Sequence, residues 1–234
     1  MQAAKTYHVL RRWSGPVSLF CLLGAGNGCS ADPAAEEAAP LAHTPDKRPV
    51  VLFLGDSLTA GLRLDPDVAY PAQIQRKLDA AGYPYRAVNA GVSGDTTADG
   101  LNRLDWLLRQ PVAVVVLALG ANDALRGLPI DHVRGNLDTL ITRIREHNPD
   151  IRILVAGMRI SPNYGEDYTR AFERIYVDLT DKHDVALMPF MLADVAGQPD
   201  LNLADGIHPN AAGHEIMASN VWTYLRPLLR ESKK

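Results

Sequence analysis

The side chains whose types and spacing could do chemistry are Ser57, Asp205 and His208, with Gly94 and Asn122 between them. A serine hydroxyl is a poor nucleophile near neutral pH and needs a base to take its proton. An imidazole serves best when a carboxylate holds its other ring nitrogen in one tautomer. Asp205 stands three residues before His208, with Gly206 to allow a tight turn and Pro209 able to open a helix, so one short loop can pair them. Attack on an acyl carbonyl also develops an oxyanion that needs donors. The backbone N–H groups of Ser57 and Gly94 and the Asn122 side-chain amide are the candidates. Taken singly, these residues read as a helix cap, two turn residues and a surface histidine. The chemical reading rests on their coincidence.

Two acidic residues and one histidine compete for these roles. Asp56 adjoins Ser57 and is better suited to bonding backbone N–H groups of its own loop, and Asp123 should do the same after Asn122. His214 is the rival base, but no carboxylate precedes it as Asp205 precedes His208. His43, His132, His147 and His183 fall in a linker, on helix faces or at helix ends, and read as structural or solvated.

Positioning such residues requires strands that end together. Val50 to Leu54 is an apolar run without polar alternation, which fits a strand buried on both faces, and it stops at Gly55-Asp56-Ser57. Tyr85 to Ala90, Val112 to Gly120, Ile151 to Gly157 and Val185 to Met188 read as four further strands, the Val112 run being the central one. Helical spacing falls at 66–81, after a cap at Thr96 or Thr97, at 131–147, around Phe172, Ile175, Tyr176 and Leu179, and from about Asn210, burying Ile216, Val221, Tyr224, Leu225 and Leu228. Strict strand–helix alternation implies an α/β fold: a three-layer α/β/α sandwich on a five-stranded parallel sheet, with the flavodoxin-like order 2-1-3-4-5. Ser57, Gly94 and Asn122 then follow strands 1, 2 and 3 on the carboxyl edge, where ligands bind in such sheets. No Gly-x-Gly-x-x-Gly or Gly-Lys-Ser/Thr motif follows a strand, so nucleotide binding has no support.

The chain has 234 residues, 47% hydrophobic and 22% charged, with a net charge of −3. That suits one domain with short additions and gives no basic footprint for nucleic acid. No apolar stretch reaches the length of an ordinary membrane span. Residues 1–29 have a basic start (Lys5, His8, Arg11, Arg12), a short apolar core from Val17 to Leu23, and small residues leading to Cys29. They read as an export signal. The Cys29 end resembles a bacterial lipoprotein cleavage site, with Gly26 standing where a branched aliphatic is usual. A lipidated Cys29 would tether the chain to a membrane; plain secretion and a cytoplasmic chain are the alternatives. Cys21 and Cys29 are the two cysteines, so a processed chain would have no disulfide to form. Residues 30–48, rich in Ala and Pro, read as a flexible tether, with the domain over 49–230.

Four blocks carry a family resemblance. Gly55-Asp56-Ser57-Leu58, Ser93-Gly94-Asp95-Thr96, Gly120-Ala121-Asn122-Asp123 and Asp205-Gly206-Ile207-His208-Pro209 resemble, in order, the signature blocks of the SGNH (GDSL-type) hydrolases. Asn89 to Thr97, Leu119 to Gly127 and Met158 to Gly165 are similar to the bacterial branch of acyl-CoA thioesterases, lysophospholipases and arylesterases. Ala121 departs from that branch, which often has glycine there. The resemblance implies a periplasmic or secreted serine ester hydrolase needing no metal or cofactor, acting on small esters or thioesters, lysophospholipids among them. Its catalytic residues would be Ser57, Asp205 and His208, with Ser57, Gly94 and Asn122 forming the oxyanion hole. Arg159, Tyr164 and the Leu125–Ile130 loop are candidates to border the acyl pocket, with ordinary packing and surface roles as the equal alternative. A carbohydrate acetylesterase on the same fold is the alternative enzyme, and a non-catalytic lipid- or ligand-binding lipoprotein the alternative of another class.

Overall fold

The computed structural model describes residues 46–230. The expected export signal, and the expected tether as far as residue 45, lie outside the described residues. Three residues ahead of the expected domain start are described, and the Arg48 guanidinium there donates to the Tyr85 carbonyl.

Five parallel strands form one sheet in the order β2-β1-β3-β4-β5, as the alternation implied. They are β1 (Val50–Gly55), β2 (Arg86–Gly91), β3 (Val112–Ala118), β4 (Arg152–Ala156) and β5 (Ala186–Met188). Every residue of β1 is buried, and it pairs with β2 on one side and β3 on the other. Burial on both faces explains why β1 and β3 lack polar alternation. The register aligns Gly55 with Gly91 and with Ala118, so three chains leave the sheet side by side. That shared exit builds the site.

Two helical layers cover the sheet. α2 (Tyr70–Ala80) packs on α7 (Ala211–Leu225), while α3 (Thr97–Leu107) packs on α5 (Ile130–His147) and α5 on α6 (Glu166–His183). Two short helices stand at strand ends, α1 (Ser57–Ala60) after β1 and α4 (Ala121–Leu125) after β3. Among the described residues, no helix is long and apolar enough to cross a membrane.

The structure corrects two sequence expectations and decides between two alternatives in a third. The helix expected over 66–81 is a 3-10 turn at Pro66–Val68 followed by α2, broken at Ala69, whose ψ is 144°. A continuous helix would put Pro71 in its interior, against a carbonyl one turn back; the break moves Pro71 into the first turn, where no N–H is needed. In α7 the buried stripe is His214, Met217, Ala218, Val221 and Leu225, whereas Tyr224 is exposed and Ile216 and Leu228 are half-buried. The cap of α3 is Thr96, in a reciprocal capping box with Asp99, and not Thr97.

Candidate active site

The nucleophile candidate owes its position to a close approach of backbones. α1 lies across the end of β2, where a Cβ on Gly91 would stand 2.2 Å from the Ala60 nitrogen. Only glycine lets the two chains come so near. Asp56 caps α1, its Oδ1 accepting the Leu58 N–H at 3.0 Å. This is the loop-bonding role expected for it. Ser57 is therefore the first residue of a helix, almost buried, with its Oγ turned toward the last loop of the domain.

That loop is a narrow reversal. Asn202 bridges to Pro209, the Leu203 N–H bonds the His208 carbonyl, and Gly206 turns the chain at φ +69°. Inside it, Asp205 Oδ1 accepts the N–H groups of Ile207 and His208, each at 3.0 Å. Its Oδ2 lies 3.0 Å from His208 Nδ1, and His208 Nε2 lies 3.0 Å from Ser57 Oγ. The three expected residues thus form one continuous hydrogen-bonded chain. The His208 N–H holds the Asp205 carboxyl well below the usual carboxylate range, helped by the Ile207 N–H and the His208 ring. An ionised Asp205 requires the proton on His208 Nδ1, which leaves Nε2 free to accept from Ser57.

Gly94 and Asn122 come to the same edge. Gly94 has φ +89°, a conformation that a side chain would strain. Asn122 sits in the first turn of α4, and its Nδ2 donates to the Asp95 carbonyl at 2.9 Å with Asp56 Oδ2 at 3.4 Å. Arg126, one turn later, donates to the Gly94 carbonyl at 2.8 Å.

Asp56 is 1% exposed, and burial pushes its carboxyl up from 3.8 to about 6. Asp123 departs from expectation. Rather than bonding its own loop, it accepts from the Thr97 N–H and hydroxyl, joining α4 to the start of α3. His214 is a buried structural residue, its Nδ1 accepting the Tyr70 N–H at 3.2 Å. Tyr164 meets the Leu125 carbonyl through its hydroxyl, at a long 3.4 Å, and the Arg159 guanidinium lies over the Phe190 ring. Among the described residues, no group of three or more His, Cys, Asp or Glu side chains could hold a metal.

A nucleophile–base–carboxylate chain on the carboxyl edge of a doubly wound sheet marks a hydrolase-type α/β/α domain. The comparisons place it further. Residues 53–216 match the GDSL-like Lipase/Acylhydrolase family, and the chain belongs to that family. It is 41% identical to Esterase TesA of Pseudomonas aeruginosa over 180 residues, 76% of this chain and 89% of the relative. Thioesterase 1/protease 1/lysophospholipase L1 of Escherichia coli K12 is 36% identical over 180 residues, 76% of this chain and 84% of the relative. The crystal structure of TesA superposes with a TM-score of 0.74, at 41% identity, covering 77% of this chain and 99% of that one. The chain is a carboxylic ester hydrolase.

Proposed function

We propose that the chain hydrolyses esters and thioesters of single acyl chains through an acyl-enzyme on Ser57. His208 Nε2 takes the Ser57 proton as Oγ bonds to the acyl carbon, while Asp205 holds the imidazolium in orientation. The oxyanion is met by the N–H groups of Ser57 and Gly94 and by the Asn122 amide. Collapse breaks the bond to the alkoxide or thiolate, which takes the proton from His208. Water, deprotonated by His208, then attacks the acyl carbon, and Ser57 Oγ leaves with that proton.

The observation that carries this reading is the unbroken Ser57–His208–Asp205 chain with both contacts at 3.0 Å. An apolar rim supports the acyl substrate. Val92, Leu125 and Ile207 are exposed large apolar residues on the same segments as Gly94, Asn122 and His208, and Tyr164 meets Leu125. Relatives named esterase, thioesterase and lysophospholipase point the same way. The basic start, apolar core and Cys29 of the first 29 residues support export and a lipid tether.

The test is labelling with a fluorophosphonate, alongside turnover of p-nitrophenyl esters and acyl thioesters of graded chain length. Wild type labels, Ser57→Ala does not, and Ser57→Ala loses on the order of 10⁴-fold or more in kcat. A Ser57→Ala variant with near-normal turnover would sink the mechanism. Turnover of acetyl esters alone would favour a deacetylase over the acyl reading.

A further inference from the structure

One half-buried guanidinium outside the reacting set touches the segments that lead to Ser57 and Gly94. Arg103 lies on α3, away from the four signature blocks. Its Nη2 donates to the Gly55 carbonyl at 3.0 Å and its Nη1 to the Ala90 carbonyl at 2.6 Å, both at strand ends. Its Nε pairs with Asp95 Oδ2 at 2.7 Å, and the two side chains are 21% and 12% exposed. Gly55 is two residues before Ser57, Ala90 leads into the Gly94 turn, and Asp95 follows Gly94. The Asp95 carbonyl in turn accepts from Asn122 Nδ2 at 2.9 Å.

We infer that Arg103 is a positioning residue for the oxyanion hole: its three-way clamp on Gly55, Ala90 and Asp95 sets where the Gly94 N–H and the Asn122 amide point. This rests on the oxyanion role proposed above for those two groups. The planar guanidinium suits the task because its donors are fixed relative to one another, and charged hydrogen bonds are the stronger kind. A lysine could keep the ion pair with Asp95 but could not reach three acceptors in fixed geometry. Positioned donors gain most when the carbonyl oxygen becomes an anion, so losing the clamp should spare substrate binding and raise the barrier to chemistry.

The experiment compares wild type, Arg103→Lys and Arg103→Ala in the full chain. The quantities are kcat, KM, Ki for an acyl trifluoromethyl ketone that forms the tetrahedral adduct, thermal midpoint and recovery by methylguanidinium. Arg103 lines a groove of about 690 Å³ shared with Val88, Trp106 and Arg109, so a small guanidinium has a path into the space left by Arg103→Ala. Expected is a fall in kcat of about 10²-fold for Arg103→Ala and about tenfold for Arg103→Lys, with KM within about threefold. The trifluoromethyl ketone should weaken in proportion to kcat/KM, and methylguanidinium should restore part of the Arg103→Ala loss. The inference is overturned if either folded variant keeps kcat within about threefold. It is equally overturned if the ketone binds both variants as it binds wild type. Fluorophosphonate labelling keeps the two readings apart. An unlabelled wild type overturns the Ser57 mechanism, whereas a labelled wild type with unchanged Arg103 variants overturns the clamp alone.

Discussion

Replacing Asp56 by asparagine should make the protein more stable at neutral pH and a poorer catalyst. Burial pushes this carboxyl from 3.8 to about 6, so the folded state holds a proton that the unfolded chain has released between those values. The contribution of Asp56 to stability therefore falls as pH rises from 3.8 to about 6 and is level above. Integrated over that window, an ionised Asp56 costs folding about 3 kcal/mol at pH 7, an upper figure. Asparagine keeps an oxygen to accept the Leu58 N–H, made at 3.0 Å in the native protein, and remains a good helix cap. At pH 4, where Asp56 is protonated, the two side chains are nearly isosteric and should be close to equal in stability. By pH 7 Asp56→Asn should lead by up to about 3 kcal/mol, read by urea denaturation at several pH values. The cost falls on the site. The variant sets an amide nitrogen where Asp56 Oδ2 now lies 3.4 Å from Asn122 Nδ2, so two donors face each other and kcat should drop. If the stability difference between Asp56→Asn and wild type is the same at pH 7 as at pH 4, ionising Asp56 costs folding nothing and the reasoning fails.

His214 carries the opposite dependence. Burial lowers its imidazole from 6.5 to about 4, so the unfolded chain binds the proton first and stability falls as pH drops through that window, by about 3 kcal/mol. His214→Asn, which keeps an acceptor for the Tyr70 N–H, should remove that slope. In denaturation curves wild type should look nearly flat between pH 4 and 6.5, while each single variant shows the other group's slope; an equally flat His214→Asn would count against this. Gly91→Ala would place a Cβ 2.2 Å from the Ala60 nitrogen, pushing α1 and Ser57 off the end of β2. It should destabilise by about 1–3 kcal/mol and lower kcat as well, and unchanged kcat would show that α1 does not set the nucleophile.

What the sequence discloses about the fold depends on how much chain each element has in which to repeat itself. β1 and β3 announce themselves because burial on both faces leaves no polar position in them. Sheet order was legible too, since one crossover hand and strict alternation leave few topologies. Helices α1 and α4 were not, because four or five residues make barely one turn and cannot display a period of 3.6. The break at Ala69 is encoded by Pro71, and the apolar spacing over 66–81 runs through it without a mark. Tyr224 has the apolar ring of a core residue, while the stripe that α7 buries runs through His214, a polar residue. That burial becomes acceptable only once the Tyr70 N–H is seen to meet its Nδ1.

The site divides along a different line. Residues proposed to touch the reacting atoms could be named from the sequence because chemistry restricts their types: a hydroxyl, an imidazole, a carboxylate, an amide. Apart from Asp56, the residues that hold them could not, because their partners lie on other elements and are mostly backbone atoms. Arg103 bonds the carbonyls of Gly55 and Ala90, and a carbonyl is present at every position, so nothing in a linear sequence marks those two. Asp123 similarly looks like a local turn residue until α3 delivers the Thr97 N–H to it. Both supports join α3 to the loops after β1, β2 and β3, although α3 supplies no reacting group. Catalytic geometry at this edge thus depends on a helix with no expected chemical role. A kcat loss in the Arg103 variants without a loss of KM would be the direct sign of that dependence.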